Sequence, residues 1–208
     1  NCIELFFPNR VSSLLINSKQ FIKAKNKNQL LNDFYNDTYL VDQNACSSPT
    51  NIFWLGHEQD NKEAQDLFWK ELLITLKLKD YSLYTISIMD KYISVLKTIN
   101  QKNTQLEIKK HHPSIWEIFN IPHYSNSFNL GQFASINMKS LGELPEHMRN
   151  NEQTLTYYGL DVESINLVLR EAQLCIDRIV PIGSALNIGL IWDGKDIIRL
   201  LSKYTEIS

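Results

Sequence analysis

Short β-favouring runs alternate with stretches of helical period along most of this chain, and that alternation is the strongest constraint on its fold. Residues 11–16, 50–55, 132–137, 154–158 and 178–182 read as strands. Between them, Leu30, Leu31, Phe34 and Tyr35 give residues 28–40 helical spacing, and Ala64, Leu67, Phe68, Leu72 and Leu76 make 61–78 the clearest amphipathic helix. Residues 87–100 carry Met89, Ile93 and Leu96 beside Ile88, Tyr92, Val95 and Ile99, which predicts a helix covered around much of its circumference. Val162, Ile165, Leu169, Ala172 and Ile176 mark a further helix with Cys175 at a packed edge, and a last helix is expected over 196–204. Asn17-Ser18 offers a helix start, and a helical turn is expected around 144–149. Residues 101–130, broken by Pro113 and Pro122, read as irregular, with Trp116, Phe119, Tyr124 and Phe128 covering a sheet edge in preference to lining a pocket. Strands alternating with helices imply an α/β fold, a mostly parallel sheet flanked by helices.

The chain has 208 residues, enough for one large domain or two small ones, and a formal net charge of -2 gives no global field that would attract nucleic acid. The clusters Lys23-Ala24-Lys25-Asn26-Lys27 and Lys109-Lys110-His111-His112 read as solvated faces. Three cysteines, Cys2, Cys46 and Cys175, are too few for a disulfide scaffold and argue for a reducing, cytoplasmic setting. No apolar run approaches the roughly 20 residues that span a bilayer. His57, His111, His112, His123 and His147 lack metal-ligand spacing, so no metal is expected. The chain lacks an initiator methionine and opens on the strand-like Ile3-Glu4-Leu5-Phe6-Phe7, which suggests a part of a longer protein.

The chemistry centres on Asn44-Ala45-Cys46-Ser47-Ser48-Pro49, which leads directly into the apolar run Ile52-Phe53-Trp54-Leu55. A cysteine among small residues, with a proline after it, suits an exposed nucleophile, because nothing bulky hinders an approaching carbonyl and the turn can present backbone amides. The alternative is a small buried hydrophobe, as many free cysteines are. Two further stretches stand in order behind it: Gln153-Thr154-Leu155-Thr156-Tyr157-Tyr158-Gly159-Leu160, and Asp177-Arg178-Ile179-Val180-Pro181-Ile182-Gly183 running on to Ile191-Trp192-Asp193-Gly194. Together they resemble the acyl-CoA reductase family, which includes the fatty-acid reductase component of luminous bacteria and is similar to the aldehyde dehydrogenases.

The resemblance implies the catalytic half of such an enzyme over residues 1–208, with an aldehyde dehydrogenase-like catalytic domain. Cys46 would take a fatty acyl group from acyl-CoA or an acyl-protein, and NADPH would reduce the thioester to an aldehyde, in luminescence or another lipid pathway. Glu4 and His57 are alternative bases. Asn44 would bind substrate, and Trp192 would line an acyl tunnel or serve as a core aromatic. The glutamate that holds the cofactor ribose in dehydrogenases aligns with Asn129, which keeps a hydrogen-bonding group without the charge. An acyl-protein synthetase partner and a homo-oligomeric full-length protein also follow. Nothing in the chain matches G-x-G-x-x-G, and Gly183-Ser184-Ala185-Leu186-Asn187-Ile188-Gly189 lacks both that spacing and the lysine of a P-loop. The nucleotide-binding domain is therefore expected to lie outside this chain, which alone should not turn over. Two other classes fit the residues: a cysteine-dependent acyl transferase or thioesterase without reduction, and a non-catalytic docking module for an acyl-activating partner.

Overall fold

The computed structural model describes residues 10–102, 105–121 and 128–203. The expectations placed on Cys2, Glu4, the run 3–7, Pro122, His123 and Tyr124 fall outside them. In chain order the elements are β1 (Val11–Asn17), α1 (Ser18–Lys23), α2 (Lys27–Asp37), β2 (Asn51–Leu55), α3 (Glu58–Leu78), α4 (Thr85–Lys102), β3 (Glu107–His112) and β4 (Ile115–Phe119). There follow β5 (Gln132–Met138), β6 (Glu152–Tyr158), α5 (Val162–Glu171), β7 (Arg178–Pro181), β8 (Ile191–Trp192), β9 (Lys195–Asp196) and α6 (Ile197–Leu201). Seven strands form one sheet in the order β3-β4-β5-β2-β1-β6-β7. All its pairings are parallel except β3 with β4.

Side chains alternate across this sheet, and each face finds its own cover. Leu14, Ile16, Ile52 and Trp54 pack with Phe21, Leu31, Phe34, Phe68 and Leu72 under α1, α2 and α3. Leu15, Phe53, Met138 and Leu155 face the other way, against Leu144, Ile165 and Leu169. α1 starts where Asn17 caps it, its side chain accepting from the Gln20 N–H at 3.1 Å.

Three expectations change. The stretch read as irregular holds an antiparallel hairpin, β3 and β4, joined at Pro113-Ser114. Its edge strand is too polar to signal itself, since Lys109, Lys110, His111 and His112 stand where apolar residues mark a strand. α4 is not covered around its circumference: Lys91, Val95 and Thr98 are buried, while Met89, Ile93 and Leu96 are 55%, 45% and 63% exposed. α5 stops at Glu171, so Cys175 lies beyond the helix and is exposed rather than packed.

One buried group makes the fold sensitive to pH. Glu152, at the start of β6, is 1% exposed; it accepts from Ser13 Oγ at 3.1 Å, and Ser13 Oγ accepts in turn from Asn51 Nδ2 at 3.2 Å. Burial pushes its carboxyl up to about 8. The native state therefore holds a proton that the unfolded chain releases near the ordinary carboxylate value, so stability should fall as pH rises from about 4.5 through about 8. Urea unfolding at pH 5 and pH 9 should show that loss in the wild type. Glu152→Gln, which keeps the shape of the neutral acid, should flatten the profile and be the more stable of the two at pH 9 by about 2–4 kcal/mol.

Candidate active site

Cys46 belongs to the loop that enters β2, at the edge of the sheet where the parallel strands begin. Past α2, Asp42 and Gln43 both take left-handed backbone, with φ 51° and 58°, and this reverses the chain. The buried Gln43 carboxamide then closes the loop. Its Nε2 donates to the carbonyls of Pro49 at 2.9 Å and Gln132 at 3.1 Å, and its Oε1 accepts from the Gly131 N–H at 2.9 Å. Gly131 has φ +79°, and a Cβ there would sit 1.9 Å from the Ser114 carbonyl oxygen, so only glycine fits.

Within the loop the Ser48 N–H donates to the Ala45 carbonyl at 2.9 Å, which makes a tight turn with Cys46 and Ser47 at its centre. Ser12 Oγ, from β1, donates to the Cys46 carbonyl at 2.7 Å and accepts from the Thr154 N–H at 3.2 Å. The turn is thus fixed to two strands, while the Cys46 side chain remains exposed. Among the described residues the Cys46 N–H has no acceptor, so it is available to an oxyanion.

The turn opens on a pocket of about 270 Å³ whose walls include Arg10, Ser12, Asn44, Ser48, Phe128 and Asn129. Asn129 Nδ2 donates to Asn44 Oδ1 at 3.1 Å, so the structure brings together Cys46, Asn44 and Asn129. It does not bring His57 to them: that side chain is exposed at the far end of β2, roughly five strand residues or about 17 Å away. Trp192 is absent from the pocket wall and lies partly exposed on β8, with the Arg178 guanidinium 4.9 Å from its ring. Glu4 is outside the described residues.

Arg10, Ser12, Gln43 and Ser48 are site residues that sequence reasoning assigned no role. Arg10 pairs with Asp177 at 3.2 Å while it lines the pocket. Arg10 Nε, Ser48 Oγ, Glu152 Oε1, Gln153 Oε1 and Thr154 Oγ1 are all buried without a hydrogen-bond partner, and all belong to this end of the sheet or to its cysteine loop. Buried polar groups are seldom left so, and their concentration marks a place suited to water or a ligand. Among the described residues no group of three or more His, Cys, Asp or Glu could hold a metal ion, and no helix is long and apolar enough to cross a membrane.

No protein-family model matches the chain, and no curated protein sequence matches it. Solved structures do match its fold. A variant of 1-pyrroline-5-carboxylate dehydrogenase from Thermus thermophilus superposes with TM-score 0.54 at 11% identity, over 92% of this chain and 42% of that one. Aldehyde dehydrogenase 21 from Physcomitrella patens, in complex with the reaction product succinate, gives 0.53 at 12% identity over 86% and 39%. An NAD-dependent aldehyde dehydrogenase from Sinorhizobium meliloti gives 0.51 at 9% identity over 83% and 37%. This chain thus spans about two fifths of the length of each. Its mostly parallel seven-stranded sheet flanked by helices is an aldehyde dehydrogenase-like fold.

The Gln43 carboxamide should be indispensable to the turn. Gln43→Ala leaves the Gly131 N–H and the Pro49 and Gln132 carbonyls without their partner and should destabilise the protein by about 2–4 kcal/mol. Urea denaturation measures that loss. Thiol titration in a Cys2→Ser, Cys175→Ser background should show Cys46 reacting at a changed rate, because the turn no longer holds one geometry.

Proposed function

We propose that this chain is the thiol-bearing catalytic part of a reductase of fatty acyl thioesters. The observation that carries this reading is the exposed Cys46 thiol, on a turn anchored by Ser12 and Gln43, beside an unused backbone amide in an aldehyde dehydrogenase-like fold. The Cys46 sulfur attacks the acyl carbonyl of acyl-CoA or an acyl-protein; the bond from that carbon to the donor sulfur breaks, and the donor thiol leaves with a proton. The Cys46 N–H meets the oxyanion that forms on the way, and the Asn44 and Asn129 carboxamides border the space in which the carbonyl turns over. Small neighbours on both sides, Ala45 and Ser47, leave room for the acyl chain to approach.

A nicotinamide cofactor, NADPH on the resemblance, would supply hydride to the acyl carbon, giving aldehyde and free thiol once a proton is added. The residues on hand suit only its reacting end. Asn44 and Asn129 offer amide hydrogen bonds at the pocket, but no glycine-rich turn of the chain cradles a dinucleotide's phosphates, and that part of the site would come from a domain outside this chain. Turnover by the isolated chain is accordingly not expected. A cytoplasmic setting, a homo-oligomeric full-length protein and an acyl-protein synthetase that delivers the donor accompany this reading.

Incubation with a long-chain acyl-CoA, followed by intact-mass analysis, tests it. One acyl adduct is expected on the wild type, absent from Cys46→Ser and removed by hydroxylamine. Release of free acid without an adduct or any nicotinamide dependence would instead indicate a thioesterase.

A further inference from the structure

The hairpin β3–β4 and α4 enclose a second pocket, of about 340 Å³, lined by Ile88, Tyr92, Lys110, His112, Pro113 and Trp116 among others. Its charge is one-sided. Lys91 stands behind the wall at Pro113 and Trp116 and is 0% exposed; among the described residues its Nζ donates only to the Pro113 carbonyl, at 2.7 Å, and otherwise lies over the Trp116 ring at 4.7 Å. Lys110 Nζ sits 4.5 Å from the Tyr92 ring centroid and 4.8 Å from that of Trp116. Of the carboxylates nearby, Asp66 pairs with Lys109 and Glu117 with His111, each at 2.9 Å, while Asp90 and Glu107 are exposed on α4 and β3. Among the described residues, Lys91, Lys110 and His112 pair with none. Burial, with Lys77 and Lys91 close by, pulls His112 below the ordinary histidine range, and burial draws Lys91 down to about 7. A buried ammonium without a counter-charge is costly, and an anion in the pocket would relieve that cost.

The pocket shares the sheet edge with Cys46. β4 begins there, its Trp116 N–H donating to the Gly131 carbonyl at 2.8 Å, and Gln132 Nε2 donates to the Lys91 carbonyl at 3.2 Å. Gln132 is the residue whose own carbonyl receives Gln43, so one short run of β5 touches both sites. Phe128 lines the cysteine pocket and packs in one cluster with Val95 and Trp116. With β3, β4, β5 and β2 adjacent in the sheet, three inter-strand spacings put the pocket on the order of 14 Å from the cysteine turn. An extended pantetheine arm covers that separation.

We propose that this pocket binds a phosphate group of the coenzyme A part of the acyl donor, with Lys110 and His112 in contact, Lys91 adding charge from beneath, and the pantetheine arm following the sheet edge to Cys46. The assignment rests on the acyl-thioester reading above. A nicotinamide dinucleotide carries the same phosphate chemistry, so the test must separate the two sources.

Two measurements on the full chain do so. The first compares the rate at which Cys46 is acylated by an acyl-CoA and by the same acyl group on N-acetylcysteamine, which has no phosphate. The ratio of the two rates should fall at least tenfold in Lys110→Glu, with His112→Gln moving it in the same direction should Lys110→Glu not fold, and it should hold in Lys109→Ala. A ratio unmoved in folded variants overturns the phosphate site and leaves the acyl-cysteine standing. The second is calorimetric titration with coenzyme A, dephospho-coenzyme A, NADPH and inorganic phosphate. Coenzyme A should bind most tightly and lose at least tenfold in affinity in Lys110→Glu. Tighter binding of NADPH that is lost in the same variant would assign the pocket to the dinucleotide and overturn the proposal. If neither thioester acylates Cys46, the reading of Cys46 fails, and the coenzyme A titration alone decides the pocket: equal affinity in wild type and Lys110→Glu overturns it.

Discussion

The candidate active site depends on one buried carboxamide. Gln43 is the point at which the cysteine loop, the entry to β5 and the left-handed reversal after α2 meet, and its side chain satisfies a donor and two acceptors of the main chain. A loop that leaves a helix, reverses and enters a strand has few backbone partners of its own. Gln43 provides them from inside, so the outer surface of the turn stays free of packing and Cys46 can be both exposed and fixed. The same carboxamide explains Gly131, whose N–H must approach Gln43 while its α-carbon lies against the Ser114 carbonyl. Tyr39, buried beneath the loop, donates to that carbonyl at 2.9 Å and carries the bracing on to the β3–β4 turn.

How far this was legible in the sequence follows from the range of each interaction. Strand runs such as 52–55 and 154–158 declare themselves because they are buried on both faces, and α3 because its apolar residues keep to one side. β3 does not, since an edge strand built from Lys109, Lys110, His111 and His112 owes its conformation to pairing with β4. α4 misleads for the opposite reason: its sequence is apolar all round, but the sheet covers only the side bearing Val95. Cys46, Asn44 and Asn129 could be named from residue chemistry and a family resemblance. Ser12 and Gln43 could not, because a serine opening a strand and a glutamine in a loop acquire their roles through contacts 34 and 89 residues away in the chain. His57 shows the same limit from the other side, eleven positions from Cys46 in sequence yet separated from it by the length of β2.

The two ends of the sheet differ in how their loops and polar groups are arranged. In open α/β sheets ligands usually gather where the strands end. Around β2 and β6 that end is closed. Gly56, after β2, lies so near α3 that a Cβ would stand 2.9 Å from Asn61 Oδ1, and Asn61 is itself tied to Ser18 of α1 at 2.6 Å. Gly159, after β6, lies so near α1 that a Cβ would stand 2.7 Å from the Cβ of Gln20. β2 and β6 pass into helices there through close contacts, while a cavity of about 440 Å³ lies beside the ends of β4 and β5, with Phe119, Asn137 and His147 on its wall. At the opposite end the strands are entered from longer loops, the carboxamides of Asn44 and Asn129 meet in the wall of the pocket that Cys46 shares, and buried polar atoms of Arg10, Ser48, Glu152, Gln153 and Thr154 go without partners. Each such atom gives up stability that folding alone would have recovered by pairing it. The unspent hydrogen-bonding capacity of the sheet thus includes a group of buried atoms at the end that carries the exposed Cys46 thiol.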